Sequence, residues 1–406
     1  MEGPWKSDSW IVSHFNYAKE VREQIKPPSD VKLYDVTLRD GEQFPGIVFT
    51  KEDKVNIAQA LDEVGIHRIE AGMPAASDED FDAVQTISNL GLKAKTTAFS
   101  RARRDDIDLA LKCDCWGVLI EFPSSDILIE KGFLWTRDRL LNMALDAISY
   151  AKDQGLHVTF FPYDTTRADV SFLKHLITTI NEKAKPDAVT VVDTFGVASP
   201  IAFAHLTKLV KSWVDIPVEC HCHNDLGLGT ANSIAAVAAG AGVVHTNVNA
   251  LGERSGGSAT EEVAMALRLL YGLDLGLRYE KFNKLSEIVQ KASNVKMPPH
   301  KPVVGLNSFA YEAGIPVMFC RRFMEEGFLH GGLPYLPEVV GNKFRYYLGK
   351  KSGRHSIRWK LDELGIKASE EQIATILGKV KERAIKKKWA LTEEEFLETV
   401  ESVVKK

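Results

Sequence analysis

Two histidines separated by a single residue, His221 and His223, give the clearest chemical signal in this sequence. Residues 216–219 read as the start of a short apolar strand that continues into them. Side chains alternate along a strand, so both imidazoles share one face while Cys220 and Cys222 point to the other. Such a pair can supply two corners of a metal site. The motif taken alone leaves a second interpretation open, namely a histidine pair packed in a core.

Further polar residues follow other strand-like runs at the same relative position, the carboxyl end. Arg39 and Asp40 follow the first run, Glu70 ends the second, and Thr194 ends the sixth. Asp40, His221 and His223 would together offer one oxygen and two nitrogens to a divalent ion and leave positions open for substrate and water. A 2-oxo acid could chelate such an ion, and Thr194 could bind a substrate carboxylate. Arg39, held by Glu70 or a neighbouring carboxylate, could stabilise a developing alkoxide.

The elements that would position these residues recur with a regular rhythm. Eight apolar, strand-like runs alternate with helical patterns at intervals of roughly 30 residues, which is typical of parallel βαβ units. Eight units in about 250 residues predict an α/β fold of the (β/α)8 TIM-barrel class. A doubly wound open sheet is the alternative, but no glycine-rich dinucleotide loop follows the first run. The runs are 31–37, 67–73, 94–99, 117–122, 157–163, 188–194, 218–223 and 243–250.

Four segments are expected along the chain. Residues 1–30 read as an N-terminal extension, 31–275 as the catalytic barrel, and 276–345 as a loop-rich linker or lid. Residues 346–406 carry two or three amphipathic helical patterns and are predicted to form a small, mostly helical C-terminal subdomain.

Composition excludes several classes of function. The 406 residues are 45% hydrophobic and 26% charged, with a net charge of −4, which gives no reason to expect nucleic acid or a membrane surface as a partner. No secretory signal and no spanning apolar run is visible. Five cysteines do not make a disulfide framework in a chain this long, so a cytoplasmic location is expected.

The motifs in combination resemble the DRE-TIM metallolyase superfamily, and within it the isopropylmalate and homocitrate synthases. The resemblance is carried by residues 38–43, 70–72, 193–196, 221–227, 252–254 and 348–355. It implies Arg39 as the catalytic arginine, with Glu70 completing the signature, and a divalent metal held by Asp40, His221 and His223. It also implies that Thr194 and Arg101 contact the substrate, that the substrates are acetyl-CoA and a 2-oxo acid, and that the chain is a homodimer. Mg²⁺ or Mn²⁺ is favoured, with Zn²⁺ and Co²⁺ as alternatives.

Departures from that family pattern concern the catalytic base. Tyr163, assigned here to substrate binding, replaces a usually acidic residue, and Gly257 replaces an asparagine that usually contacts the metal. Tyr311 and Pro316 stand where the family has histidines, and proline cannot transfer a proton. Either another group acts as the base, for which the sequence offers Tyr311, Glu312 and His300 as candidates, or the chemistry differs from that of the family.

Three functions are weighed against each other. The first is Claisen-type condensation of acetyl-CoA, or another acyl-CoA, with a 2-oxo acid. The second is a carbon–carbon lyase or aldolase that runs the reverse cleavage on the same metal site. The third is a metal-binding regulatory protein without catalysis. Release of CoA thiol, cleavage of a tertiary hydroxy acid, or metal uptake without either reaction would distinguish them.

Overall fold

The computed structural model of the protein describes residues 3–404, and these form two compact units. One unit runs from Phe15 to Met297. The other combines residues 3–14 with residues 298–404. No described helix is both long enough and apolar enough to cross a membrane.

The larger unit is a closed barrel of eight parallel strands in sequential order, which confirms the predicted TIM-barrel fold. Each predicted strand run matches one observed strand, and β3 and β4 each end one residue beyond the predicted run. The strands are β1 Lys32–Asp35, β2 Arg68–Glu70, β3 Lys95–Ser100, β4 Gly117–Pro123, β5 His157–Tyr163, β6 Ala188–Asp193, β7 Val218–Cys222 and β8 Val243–Thr246.

Helices connect the strands and surround the barrel. Several of them begin at residues whose side chains cap the first turn. In the helix that starts at Lys51, the Thr50 side chain accepts the backbone N–H of Asp53, and the Asp53 side chain accepts the backbone N–H of Thr50. The helices of this unit are α1 Lys19–Arg22, α2 Lys51–Val64, α3 Asp78–Ser88, α4 Arg104–Lys112, α5 Arg137–Asp153, α6 Val170–Lys183, α7 Pro200–Trp213, α8 Gly229–Ala238, α9 Thr260–Ala266 and α10 Phe282–Ser293. Short π-helical turns occur at Ile127–Gly132 and Leu267–Tyr271, and 3₁₀ turns at His14–Tyr17, Gly41–Gln43, Thr165–Arg167, Val248–Ala250 and Tyr279–Lys281.

Strand alternation separates an inner from an outer layer of side chains. The outward residues Cys220 and Cys222 are buried, and they lie on the face of β7 opposite to the histidines. Inward residues pack in the barrel interior. That interior cluster contains Tyr34, Val36, Phe99, Leu119, Phe161, Val192 and Val243, with Met73 and Tyr163 packed against it.

The smaller unit has its own apolar core, built mainly from its last three helices. Its elements are β9 Ala310–Tyr311, β10 Arg345–Tyr346, α11 Gly314–Glu325, α12 Arg354–Glu363, α13 Glu370–Lys387 and α14 Glu393–Val404, with 3₁₀ turns at Leu329–Gly331 and Pro337–Val340. Ile376 of α13 and Phe396 of α14 are fully buried in this core. The helical pattern expected after residue 346 is therefore present. The segment boundaries at residues 30, 275 and 345 stay predictions, since the two units divide at residues 14 and 297.

Two isoleucines of α13 provide a matched test of this core. Ile376 is 0% exposed and Ile385 is 56% exposed. We expect Ile376→Ala to lower the free energy of unfolding of the smaller unit by about 2–5 kcal/mol, because it removes buried methyl groups and leaves a cavity. The control Ile385→Ala should change it by less than about 0.5 kcal/mol. Urea denaturation followed by circular dichroism measures both, and equal losses would contradict the packing described.

Candidate active site at the carboxyl ends of the strands

Three side chains from distant parts of the chain converge at the barrel mouth, meaning the carboxyl ends of β1–β8. Potential ligand atoms of Asp40, His221 and His223 all lie within 4.8 Å of one another, and all three residues are buried. The two Nε2 atoms of the histidines face each other at 3.2 Å. His223 Nε2 lies 3.8 Å from Asp40 Oδ1. The structure thus brings together the three residues predicted as metal ligands.

Backbone and side-chain neighbours fix the orientation of these groups. His223 Nδ1 lies 3.3 Å from the carbonyl oxygen of Gly256, so a proton on Nδ1 leaves Nε2 as the free lone pair. Gly256 has φ +85° and packs so tightly against the Ala250 carbonyl that a β-carbon would overlap it. This glycine therefore holds the carbonyl in place behind the imidazole.

Asn247 is a neighbour that the sequence reasoning missed. Its Nδ2 donates to Asp40 Oδ2 at 2.9 Å, which leaves Oδ1 of the same carboxylate on the side of the histidines. Its own Oδ1 occupies the space above Gly257, where a β-carbon would overlap it. The only available signal was its position just after β8, one residue beyond Thr246.

Arg39 lies beside the cluster and is held on several sides. Its Nε donates to Glu70 Oε2 at 2.7 Å, its Nη1 donates to Gln43 Oε1 at 3.2 Å, and its guanidinium stacks over the Phe99 ring at 4.6 Å. The predicted support of Arg39 by Glu70 is therefore present. Its Nη2 is buried and has no hydrogen-bond partner among residues 3–404. A buried, charged donor with a free N–H is suited to binding a negatively charged oxygen.

A second buried charge network lies on the same face of β7, two residues before His221. Glu219 accepts from Arg68 at 2.7 Å and pairs with His245 at 2.8 Å.

The surroundings of His221 disfavour its charged form. Burial lowers the pKa of His221 well below its usual value, and the neighbouring His223, His245 and Arg39 lower it further. His221 is therefore neutral, which is the form of imidazole that binds metals.

The predicted substrate-binding residues lie at the same end of the barrel, but they differ in the contacts that they make with the rest of the protein. Thr194 Oγ1 accepts the backbone N–H of Asp164 at 2.8 Å and keeps its own hydroxyl hydrogen to donate. Arg101 is half-exposed and donates from Nε and Nη2 to Asp106 at 2.8 and 2.9 Å. Tyr163 packs against the interior cluster, and burial raises the pKa of its phenol. Substrate binding by these three residues stays a prediction.

The residues predicted as replacements for the usual base belong to the smaller unit. The Tyr311 hydroxyl donates to the carbonyl of Gly332 at 3.0 Å, and burial raises its pKa. Glu312 Oε1 accepts the backbone N–H of Lys351 at 2.9 Å. His300 is exposed. The first two groups thus already have partners within their own unit, and their catalytic role stays a prediction.

The Arg39–Glu70 pair can be tested through stability. Its side chains are 8% and 0% exposed, so Glu70→Gln leaves a buried guanidinium without its charged acceptor. We expect this substitution to lower the free energy of unfolding of the barrel by about 3 kcal/mol. The control Glu253→Gln breaks a more exposed pair, with Arg254 Nη1 at 2.9 Å, and should cost less than about 1 kcal/mol. Guanidinium denaturation monitored by tryptophan fluorescence distinguishes the two. Similar losses would show that Arg39 does not depend on Glu70.

Comparison with solved structures agrees with the barrel described above. An HMG-CoA lyase from Bacillus subtilis superimposes with a TM-score of 0.61 at 18% sequence identity, covering 68% of this chain and 97% of the lyase. At that identity the likeness concerns the fold alone.

Sequence comparison gives closer relatives. The chain is 39% identical over 394 residues to homocitrate synthase AksA of Methanothermobacter thermautotrophicus, covering 97% of this chain and 98% of the relative. It is 39% identical over 398 residues to a probable 2-isopropylmalate synthase of Ignicoccus hospitalis (97% and 96% covered). It is 43% identical over 352 residues to (R)-citramalate synthase CimA of Methanocaldococcus jannaschii (87% and 70% covered). The HMGL-like family model matches residues 30–289, and together these matches establish that the chain belongs to the HMGL-like family of TIM-barrel proteins.

Proposed function

We propose that this chain is a metal-dependent acyltransferase that condenses acetyl-CoA with a 2-oxo acid, giving a 2-hydroxy di- or tricarboxylate and free CoA. The observation that carries the proposal is the cluster of Asp40, His221 and His223 beside a buried Arg39 with an unpaired N–H. The synthase relatives that match nearly the full length of the chain support it. The three synthase relatives reported above carry different names, which leave the identity of the oxo acid open.

The residues present fit a divalent cation. Two ligand atoms about 2.1 Å from one ion, at angles near 90–109°, lie about 3.0–3.4 Å apart. The observed 3.2 Å between the two histidine Nε2 atoms falls in this range, and 3.8 Å to Asp40 Oδ1 is slightly longer. When bound, such an ion polarises the keto group of a chelated oxo acid as a Lewis acid. Oxygen ligands from the substrate favour Mg²⁺ or Mn²⁺ over Zn²⁺ or Co²⁺.

The chain's own residues would then perform three tasks. Arg39 is placed to stabilise the oxygen that becomes an alkoxide when the carbon–carbon bond forms, because its Nη2 has no competing acceptor among the described residues. Thr194 retains a hydroxyl hydrogen for the substrate carboxylate. Asn247 keeps one oxygen of Asp40 occupied and leaves the other on the side of the histidines, where it would hold the ion.

Removing one proposed ligand tests the metal role. We expect His223→Ala to weaken Mn²⁺ binding by at least about 10-fold and to abolish turnover, while the barrel stays folded, because the ring lies at the mouth. Calorimetric titration of metal-stripped protein measures the affinity, and circular dichroism reports the fold. His175→Ala, an exposed histidine on α6, is the control and should match the wild type. Full turnover by His223→Ala without metal would contradict the proposal.

A substrate panel tests the reaction itself. Purified protein with Mg²⁺ or Mn²⁺ and acetyl-CoA is given 2-oxo acids of different length, branching and charge, and free thiol is detected. We expect thiol release with at least one oxo acid and none without it. Production of acetyl-CoA or a 2-oxo acid from tertiary hydroxy acids or their thioesters, without thiol release in the forward assay, would instead support the lyase. A homodimer and a cytoplasmic location remain predictions.

A further inference from the structure

One carboxyl group in the barrel mouth belongs to none of the networks described so far. Glu121 lies on β4, two residues after Leu119, whose side chain packs in the barrel interior. Because side chains alternate along a strand, Glu121 points to the same side, one layer closer to the mouth. It is the single charged residue in the strand sequence Gly117–Pro123.

Strand register places Glu121 among residues of the candidate site. It pairs with Phe161 on β5, whose ring meets the His221 ring edge-on at 5.3 Å between centroids. On the other side, Leu119 pairs with Phe99 on β3, the residue over which Arg39 stacks. Glu121 on β4 therefore lies in the wall of the mouth between β3, whose Phe99 contacts Arg39, and β5, whose Phe161 contacts His221.

Unlike Asp40, Glu70 and Glu219, Glu121 has no hydrogen-bond or ion-pair partner in the part of the chain that the structure describes. Within residues 3–404 it makes no hydrogen bond and no ion pair, and it keeps partial access to solvent. Asp40, Glu70 and Glu219 all have such partners. A carboxyl that is largely removed from water and left without a partner costs free energy, and such groups are concentrated at functional sites.

Its surroundings suit proton transfer near neutral pH. Burial raises the pKa of Glu121 to about 7; Arg39 opposes that rise, while Glu70, Glu253 and Asp40 add to it. Tyr163 also faces this carboxyl from β5, and the Glu121 charge helps to raise the pKa of that phenol. A base whose pKa lies close to the working pH combines a usable ionised fraction with sufficient basicity.

We propose, resting on the proposed function, that Glu121 is the general base that removes a proton from the acetyl methyl group of acetyl-CoA. The C–H bond breaks, its proton goes to the Glu121 carboxylate, and its electron pair forms the enolate of the thioester. The enolate carbon then bonds to the keto carbon of the 2-oxo acid, and the carbonyl π pair becomes an alkoxide facing Arg39. The alkoxide takes one proton, which the neutral Glu121 acid can return, and water later displaces CoA from the thioester.

This assignment competes with the bases expected from the sequence. The Glu312 carboxylate and the Tyr311 hydroxyl are each bound to backbone groups of the smaller unit. Glu121 is unbound and lies on the barrel itself. Parallel substitution of Glu121 and Glu312 therefore separates the two assignments.

The test compares Glu121→Gln with Glu130→Gln, an exposed glutamate in the turn that follows the same strand. With acetyl-CoA and an oxo acid that the wild type accepts, we expect Glu121→Gln to lower kcat by at least about 100-fold. The KM for the oxo acid and the Mn²⁺ affinity should change less than about 3-fold, since Glu121 is not placed among the ligands. Glu130→Gln should match the wild type in all three.

A second measurement reports the proton transfer directly. Wild-type protein with trideuterated acetyl-CoA should exchange or transfer deuterium at rates that Glu121→Gln lowers in parallel with kcat. Glu121→Asp, which keeps a carboxylate, should fold, retain substrate and metal affinity, and recover part of kcat; it serves also if the glutamine variant does not fold. A kcat within about 3-fold of wild type in Glu121→Gln, or a large loss confined to Glu312→Gln, would overturn the inference. Failure of the wild type to release thiol with any oxo acid would instead overturn the proposed function.

Discussion

The Nε2 atoms of His221 and His223 lie 3.2 Å apart in the barrel mouth, and the surrounding arrangement depends on how the repulsion between their lone pairs is relieved. If both histidines present bare Nε2 atoms, their lone pairs repel, and only a proton or a cation can relieve this. The Gly256 carbonyl beside Nδ1 of His223 favours the bare Nε2 on that ring. Burial keeps His221 from becoming charged. A cation shared with the carboxylate of Asp40 satisfies all of these conditions together.

The barrel fixes this arrangement because Asp40, the histidine pair and Asn247 come from the ends of different strands. Asp40 follows β1, the histidines end β7, and Asn247 follows β8, which pairs with both of these strands. Below them, Arg68, Glu219 and His245 form a buried polar layer, so the site does not rest on apolar packing alone. Breaking one pair of such a layer leaves the other charge buried, and the layer therefore constrains the positions of the rings above it.

Much of the fold and part of the site could be predicted from sequence, because both follow from periodicity. All eight strands coincide with the predicted runs, although β3 and β4 each extend one residue further, and alternation correctly put the two histidines inward and Cys220 and Cys222 outward. Asp40 and Arg39 could be assigned because parallel strands end at one edge. The same alternation rule would have found Glu219, two residues before His221 on β7, and Glu121, which occupies an inward position of an otherwise apolar strand.

What the sequence could not give are contacts that depend on loop conformation and side-chain direction. Asn247 follows a strand like many capping asparagines, and only coordinates show its amide on Asp40 rather than on a helix end. The family resemblance assigns Arg101 to the substrate, and only coordinates show that Asp106, five residues later, binds it through two N–H groups. Tyr311 and Glu312 likewise have local backbone partners that spacing does not encode. Each outcome depends on rotamers and turns, for which hydrophobic periodicity carries no information.

The side chain of Asn247 above Gly257 has a consequence for how this protein can change over time. The β-carbon of any larger residue at position 257 would overlap the amide oxygen of Asn247, so a larger side chain there would have to displace that amide. Removing the asparagine first would free the space but also release the carboxylate of Asp40. A side chain at position 257 and the loss of Asn247 thus act on the same hydrogen bond, the one that holds the Asp40 carboxylate, so the two positions constrain each other during sequence divergence.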